Sequence, residues 1–303
     1  MRLFIIGNGF DIDHGLCSKY SYFKEYLINT YLPTLNRDYI TYPNVYLAPD
    51  GGEIVDPNSS SQILYCLIND ISLESNWGDF EECLGHLDYY RVLELVEKDE
   101  EKPSHYYYNI EDIVRDLDSS LFFSVSEIFC EWVETIDLSS AYKKYNLSSS
   151  DLFLSFNYTP LLEDVYKINP DRICHIHGSI NERICIIGHG NNSRVFNEYD
   201  ECVSFEIEQL HNKLLKPTEK LYSKNQYFFR KIYKSNITEI VFFGFSFSQI
   251  DYYYFKQLFC NLDTTNIKAF LSPYETANEL DLKIKLIREF GFKGTYSGMF
   301  KPK

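Results

Sequence analysis

The chain opens with a strand pattern that runs directly into a glycine turn, and this feature most constrains what it can fold into. Residues 3–6 read Leu-Phe-Ile-Ile, and residues 7–11 read Gly-Asn-Gly-Phe-Asp. An apolar, partly β-branched run predicts a buried strand, and paired glycines let the backbone turn tightly. Backbone N–H groups at such a turn, ahead of a helix, are typical of phosphate sites. The segment therefore predicts the start of a nucleotide-binding α/β domain.

The spacing of the glycines narrows this prediction. The common dinucleotide-binding pattern G-x-G-x-x-G requires a third glycine where this chain has Ile12. The next glycine is Gly15, six residues after Gly9, and Leu16 follows it. This spacing resembles the NAD loop of the sirtuins. The alternative is an ordinary strand-to-helix turn that binds no ligand.

Composition excludes several classes of protein. A net charge of −15, with no Lys/Arg run longer than two residues, argues against a nucleic-acid surface. The eight cysteines include no C-x2-C pair, which argues against a zinc ribbon, and we predict no metal. No apolar stretch approaches the roughly 20 residues that span a bilayer, and no signal sequence precedes the first strand. We expect a cytoplasmic protein without membrane contact, and the 17% aromatic content fits a packed or self-associating globule.

Strand and helix patterns alternate along the chain. Strands are predicted at 152–156, 173–176, 184–187, 239–243 and 267–271, with helices at about 204–215, 219–235, 250–262 and 275–290. This alternation predicts an α/β fold, a Rossmann-like parallel sheet with helices on both faces.

The segment before residue 149 has a different pattern. Ser21 is predicted to cap a helix that Pro33 ends, 34–60 reads as irregular, and helical periodicity covers about 61–95 and 109–137. We therefore expect a nucleotide-binding core of residues 1–35 and 149–303, with a mainly helical insertion at 36–148.

Small and polar residues follow the predicted strands. In doubly wound sheets ligands lie outside the carboxyl ends of the strands, so these residues are the candidates for a site. They are Asn157-Tyr158-Thr159 with Glu163, His177-Gly178-Ser179, Gly188-His189-Gly190, and Gly244-Phe245-Ser246 with Asp251.

The order of these clusters resembles two families. Sirtuins follow their glycine loop with T-Q-N-x-D, H-G-S and G-T-S, and this chain has S-F-N-Y-T from Ser155, H-G-S from His177 and G-F-S from Gly244. More closely, the set resembles the bacterial phage-resistance family AbiH, with its I-G-N-G-F-D, H-G-L, F-N-Y-T, H-G and G-F-S. These motifs span positions 5 to 251.

The resemblance to sirtuins implies roles for individual residues. Asn157 would hold a ribose hydroxyl and a water, and His177 would act as the general base. The implied NAD contacts are Gly7, Asn8, Gly9, Phe10, Asp11, Gly15, Gly244, Ser246 and Asp251. Of these, Asp11 or Asp251 could instead stabilise the positive charge of the transition state. Helix capping by Asn157 and a structural role for His177 are the alternatives.

Two positions depart from the sirtuin pattern, and one cluster is left open. Phe156 and Thr159 replace the sirtuin Gln and Asp, so recognition of the carboxamide must differ or be lost, and without a zinc module deacetylation is not expected. Asp79 and Glu81 belong to a W-x-D-x-E segment, an AbiH-like feature that would face the site or simply complement a helix dipole.

The resemblances imply an anti-phage abortive-infection effector that hydrolyses the nicotinamide–ribose bond of NAD. The first alternative is a nucleotide-binding sensor without activity, in which Phe156 and Thr159 mark lost catalysis. A nuclease is the second, disfavoured by the acidic charge. The sequence leaves open whether the ligand is NAD or another nucleotide, and whether the chain self-associates or answers a phage-derived trigger.

Overall fold

The computed structural model describes most of the chain. The described residues are 1–32, 45–49, 51, 53–69, 71, 80–93, 114, 125–194, 201–273 and 276–301. The chain forms two compact units. The first comprises residues 1–18, 133–185 and 217–303, and the second comprises 19–132 and 186–216. The division predicted from the sequence, a core of residues 1–35 and 149–303 with an insertion at 36–148, remains a prediction.

The first unit is built on a six-stranded sheet in which every neighbouring pair of strands is parallel. Its strands are β1 (Arg2–Ile6), β4 (Leu152–Ser155), β5 (Ile173–His175), β6 (Glu239–Phe243), β7 (Lys268–Leu271) and β8 (Thr295–Met299), in the order β5-β4-β1-β6-β7-β8. The second unit holds a separate antiparallel pair, β2 (Val45–Leu47) and β3 (Glu53–Val55).

This strand order is that of the Rossmann sheet. Counted without β2 and β3, the strands follow the order 3-2-1-4-5-6, and the α/β prediction is confirmed. The chain moves outward from β1 through β4 to β5, and then returns to the other side of β1 with β6. The order therefore reverses beside β1, where ligands bind in such sheets.

The apolar runs of the sequence become the centre of this sheet. Every residue of β4 is buried, as are the last four residues of β1 and of β6. Strands covered on both faces need continuous apolar sequence, which is why they are readable from the sequence. The sheet has an additional edge strand, β8, which the sequence analysis missed, because its exposed and half-buried residues alternate.

The strand predicted at 184–187 is wrong. These residues are described and lie outside any strand, after a turn at Arg183. Their apolar run, Ile-Cys-Ile-Ile, is short, and a short apolar run does not by itself distinguish a strand from a packed loop.

Helices fill the connections. They are α1 (Asn8–Asp13), α2 (Tyr20–Thr30), α3 (Pro57–Asn69), α4 (Phe80–Leu84), α5 (Tyr90–Leu93), α6 (Val125–Glu134), α7 (Leu161–Asp164), α8 (Glu201–Lys213), α9 (Thr218–Lys224), α10 (Gln226–Lys234), α11 (Tyr252–Asn261) and α12 (Ala277–Glu289). Among the described residues no helix combines the length and apolar character that crossing a membrane requires.

Three local predictions need correction. Ser21 is not the cap of α2: the helix begins at Tyr20 after Lys19, without a side-chain cap. Residues 34–60 are not all irregular, since they contain β2, β3 and the start of α3, in which Pro57 occupies the first helical turn. The helix predicted at 219–235 is two helices divided at Asn225.

Candidate functional site

The glycine turn after β1 is built for close approach to the loop after β6. A Cβ on Gly7 would lie 2.6 Å from the carbonyl oxygen of Gly244, and one on Gly9 would lie 2.6 Å from the Gly244 Cα. Gly244 has a φ of +61°, and a Cβ there would lie 2.3 Å from the carbonyl carbon of Gly9. The three glycines therefore interlock two loops at the position where the strand order reverses.

Hydrogen bonds secure this interlock and occupy three N–H groups of the turn. Gly7 N–H donates to Phe243 O at 3.0 Å, and Gly9 N–H donates to Gly244 O at 2.9 Å. Phe10 N–H donates to Gly7 O at 2.9 Å. Contact of this turn with a pyrophosphate remains a prediction, and these three donors are engaged within the protein.

The other predicted residues in and after α1 make contacts within the protein or have a backbone conformation that favours glycine. Asn8 Nδ2 donates to Ser18 O at 2.9 Å. Phe10 is buried against His14, with ring centroids 4.4 Å apart, and its ring stands edge-on to Phe243. Gly15 follows the end of α1 with a φ of +83°, a backbone conformation that favours glycine.

Asp11 is the centre of a buried polar cluster between the ends of β1 and β4. Its side chain accepts a hydrogen bond from Asn157 Nδ2 at 2.8 Å and one from Thr159 Oγ1 at 2.6 Å. Asn157 Nδ2 also donates to Gly7 O at 3.1 Å, so both hydrogens of this amide are used. All three clustered side chains belong to buried residues, and Asp11 is only 2% exposed.

Burial decides the ionisation of Asp11. Taking the carboxyl out of water raises its pKa to about 7, against the lowering effect of the hydrogen bonds from Thr159 and Asn157. Asp11 can therefore change its charge close to neutral pH, unlike an exposed aspartate. Perturbed carboxyl groups of this kind are common at functional sites.

His175, at the end of β5, joins this cluster through the backbone. Its Nδ1 lies 2.7 Å from Asn157 O and its Nε2 lies 2.9 Å from Glu163 Oε1. Because a carbonyl and a carboxylate both accept, the ring donates from both nitrogens when it is charged. Burial alone lowers the pKa of His175, but the hydrogen bond and charge of Glu163, together with the Asn157 carbonyl and the charge of Asp11, outweigh burial and raise it.

His177 faces a carboxylate across a short gap. Its Nε2 lies 3.4 Å from Asp251 Oδ1, and the residue is 3% exposed. The rings of Phe156 and Tyr254 pack against the imidazole, with centroids 5.4 and 5.7 Å away. Gly178 is required next to it, since its φ is +86° and a Cβ would lie 2.3 Å from Ile184 O. The structure thus pairs two residues that the sequence had proposed separately.

An open cleft lies where the glycine turn meets the loop after β6. Its volume is about 440 Å³, and Gly9, Ile12, Asp13, Gly244, Phe245, Ser246, Ser272, Glu279 and Lys283 line it. Ser246 is exposed, whereas the ring of Phe245 packs on Phe156, which in turn contacts His177. The rings of Phe245 and Phe156 therefore form an aromatic wall that connects the cleft lining to His177, and neither His177 nor Asp251 lines the cleft.

Sequence reasoning missed the residues that α12 and β7 add to the cleft. Ser272 directly follows β7, and Glu279 and Lys283 stand one turn apart on α12. The end of β7 was predicted, so its following residue was a signal that could have been used. Lys283 carries no comparable signal, because a lysine on a helix is usually a solvated residue.

The second unit has its own polar cluster. Glu81 Oε1 lies 2.6 Å from Lys216 Nζ, whose side chain is 0% exposed, and accepts from Gly188 N–H at 3.3 Å. His189 is buried there, with its ring 4.2 Å from that of His211. Glu81 is thus engaged in an ion pair of this unit, and Asp79 lies outside the described residues.

A comparison with models of protein families shows to which family the chain belongs. The family model described as bacteriophage abortive infection AbiH matches residues 3–272. The chain belongs to the AbiH family. The match runs from β1 past the end of β7 and includes Asp11, Asn157, His177 and Asp251, whereas α12 lies beyond it. Neither the curated proteins nor the solved structures give a match to this AbiH chain.

Proposed function

We propose that this AbiH protein binds NAD or a closely related nucleotide in the cleft and hydrolyses its nicotinamide–ribose bond. The carrying observation is the position of the cleft. It opens where the strand order of a Rossmann sheet reverses, and its aromatic wall leads to a buried histidine–carboxylate pair. Depletion of NAD is a means by which an abortive-infection protein could stop phage growth.

The reaction needs a base and stabilisation of positive charge. Water attacks C1′ of the ribose while the bond to the nicotinamide nitrogen breaks, which yields ADP-ribose, nicotinamide and one proton. Positive charge develops on the ribose in the transition state. His177 would accept the proton, and Asp251, 3.4 Å from its Nε2, would stabilise the imidazolium that forms.

Asn157 would act mainly as a positioning residue. Its two amide hydrogens are donated to Asp11 and Gly7, so only its side-chain oxygen can accept a hydrogen bond from a ribose hydroxyl. Asp11, held by Asn157 and Thr159, would place an ionisable carboxyl at the ends of β1 and β4. Thr159, which stands where the sirtuin pattern has an aspartate, would then hold the carboxyl of Asp11 by its hydrogen bond.

A second candidate function is a nucleotide sensor without turnover. The specific observation in its favour is that Asn157 donates both amide hydrogens within the protein and that His177 is only 3% exposed. A sensor would gain thermal stability from NAD, by RT ln(1 + [L]/Kd), without consuming it.

The test measures nicotinamide and ADP-ribose by chromatography after incubating the purified protein with NAD. His177→Ala should lower the rate about 10²–10⁴-fold, the usual contribution of a positioned base. His86→Ala is the matched control, since His86 is an exposed histidine of the second unit. Thermal unfolding of each variant checks that it folds.

Each outcome separates the candidates. Nicotinamide release that His177→Ala leaves unchanged contradicts the proposed role of His177. Stabilisation by NAD without release of nicotinamide supports the sensor. If NAD causes neither release nor stabilisation, the proposal that the protein binds NAD is wrong. Plaque counts in cells that express the same variants then show whether protection from phage follows the activity.

A further inference from the structure

The phosphates of a bound nucleotide need donors that the glycine turn supplies only in part. In the common Rossmann arrangement the pyrophosphate rests on N–H groups at the first turn of the first helix. Here the N–H groups of Gly7, Gly9 and Phe10 are donated to protein carbonyls. A dinucleotide carries two negative charges on its phosphates, which a cation elsewhere in the cleft would balance.

Lys283 is the one basic residue among the described residues that line the cleft. Its Nζ donates to Phe245 O at 2.8 Å, and the ammonium lies 5.9 Å from the centroid of the Phe247 ring. These contacts hold the positive charge beside the loop after β6 instead of letting it extend into solvent. Phe245 is also the residue whose ring forms the aromatic wall towards His177.

The two acidic residues of the cleft lining have partners of their own. Asp13 Oδ2 accepts from Tyr145 Oη at 2.8 Å, and Asp13 Oδ1 lies 3.5 Å from Lys144 Nζ. Glu279 Oε2 accepts from the backbone N–H and the hydroxyl of Thr276, both at 2.7 Å, in the capping box of α12. Lys144 thus balances the charge of Asp13, whereas the hydrogen bonds from Thr276 and the charge of Lys283 lower the pKa of Glu279 and keep it ionised.

We propose that Lys283 binds the phosphate groups of the nucleotide and replaces the glycine turn as their main contact. This inference rests on the proposed nucleotide site. Lys283 lies beyond residues 3–272, which the family model matches. An ammonium is suited to the role, because it donates three hydrogen bonds as a compact charge.

The experiment compares ADP with adenosine, which differ in the two phosphates. Isothermal titration calorimetry measures both ligands on the full chain with Lys283→Gln, Lys283→Arg and the matched control Lys285→Gln. Lys285 stands two residues further along α12, its side chain is 74% exposed, and it does not line the cleft. Because a hydrogen bond to a charged group is lost, Lys283→Gln should weaken ADP binding tenfold or more. It should leave adenosine binding unchanged.

The controls separate phosphate binding from a structural role of Lys283. Lys283→Arg should retain most of the affinity for ADP, and Lys285→Gln should bind like the wild type. Higher salt should weaken ADP binding to the wild type more than to Lys283→Gln, since charge pairing is screened. A change in adenosine affinity equal to that for ADP would overturn the phosphate assignment and indicate a change in the fold of the cleft.

Failure of this inference is distinguishable from failure of the proposed function. If Lys283→Gln binds ADP and hydrolyses NAD as the wild type does, the Lys283 contact is wrong and the proposed function stands. If the wild type binds neither ADP nor NAD, both are wrong.

Discussion

Two pairs of histidines in this protein have opposite electrostatic environments, and all four are buried or partly buried. The strand-end pair, His175 and His177, faces carboxylates: Glu163 at 2.9 Å and Asp251 at 3.4 Å. The second-unit pair, His189 and His211, uses backbone groups instead. His189 Nε2 donates to His211 O at 3.0 Å, and its Nδ1 accepts from the N–H of Asn191 at 3.2 Å.

Partner chemistry, and not burial, separates the two pairs. Burial lowers the pKa of a histidine in either place, and it lowers that of His189 to about 4, with the charge of His211 adding to the effect. For His175 the hydrogen bond and charge of Glu163, with smaller contributions from the Asn157 carbonyl and the Asp11 charge, outweigh burial and raise the pKa. His175 is therefore better suited than His189 to hold a proton near neutral pH.

The largest expected effect is on the ion pair of His175. Glu163→Ala should lower the free energy of unfolding by about 3 kcal/mol at pH 6, because the ring loses its counter-ion and hydrogen bond and must release its proton to stay buried. The raised pKa of His175 makes the pair fully stabilising below its unfolded pKa of 6.5, and this contribution is lost as the pH rises through the folded value. Denaturation by urea at pH 6 and pH 8.5 should therefore show a smaller loss at the higher pH.

An exposed ion pair of the same unit gives the matched control. Glu134 lies 2.9 Å from Arg183, whose side chain is 75% exposed, and Glu134→Ala should cost less than about 1 kcal/mol. Equal losses for Glu163→Ala and Glu134→Ala would show that the strand-end pair is no stronger than a surface contact.

The sequence predicted the central strands of the sheet correctly, whereas it missed the edge strand β8 and predicted one strand that does not form. Apolar runs such as 3–6 and 239–243 are buried on both faces and therefore carry a strong local signal. The alternating, half-exposed strand β8 carries a weak one. The apolar residues 184–187 gave a false signal, because packing of a loop uses the same residue types as a buried strand.

The candidate site shows the same division. Position at a strand end indicated Asn157, His177 and Asp251, because ligand sites follow from the topology of a parallel sheet. The position of these residues did not indicate that Asp251 faces His177, or that Asn157 donates a hydrogen bond to Asp11. These contacts depend on loops and side-chain directions that join residues far apart in the chain, and no local pattern encodes them.

A second prediction concerns the buried carboxyl that lies next to the strand-end pair. Because the pKa of Asp11 rises from 3.8 to about 7, the protonated form favours the folded state. This stabilisation is complete below the unfolded pKa and is lost as the pH rises through the folded value. Relative to Asp11→Asn, whose amide stays neutral, the wild type should lose a little more than about 2 kcal/mol between pH 5 and pH 7.

Urea denaturation at half-unit pH steps measures this difference. Asn at position 11 can accept from Asn157 and donate to Thr159, as the protonated carboxyl does, so the variant keeps the hydrogen bonds. Above about pH 7.5 the difference should stop growing, because the carboxyl is then ionised in both the folded and the unfolded states. Parallel curves from pH 5 to pH 7 would mean that Asp11 has an ordinary pKa.

The smallest effect is predicted for the second-unit pair, and its sign is opposite. With a folded pKa of about 4 against 6.5 unfolded, the neutral ring of His189 stabilises the fold above pH 6.5. This contribution is lost as the pH falls through the folded value. Between pH 6 and pH 4.5 the wild type should therefore lose about 2 kcal/mol more than His189→Gln, whose side chain does not titrate. His86→Gln removes an exposed histidine whose charge makes a minor contribution to the low pKa of His189, so it should reduce the loss only slightly. If His189→Gln shows the same acid sensitivity as the wild type, His189 takes up a proton without cost, and the contrast between the two histidine pairs is wrong.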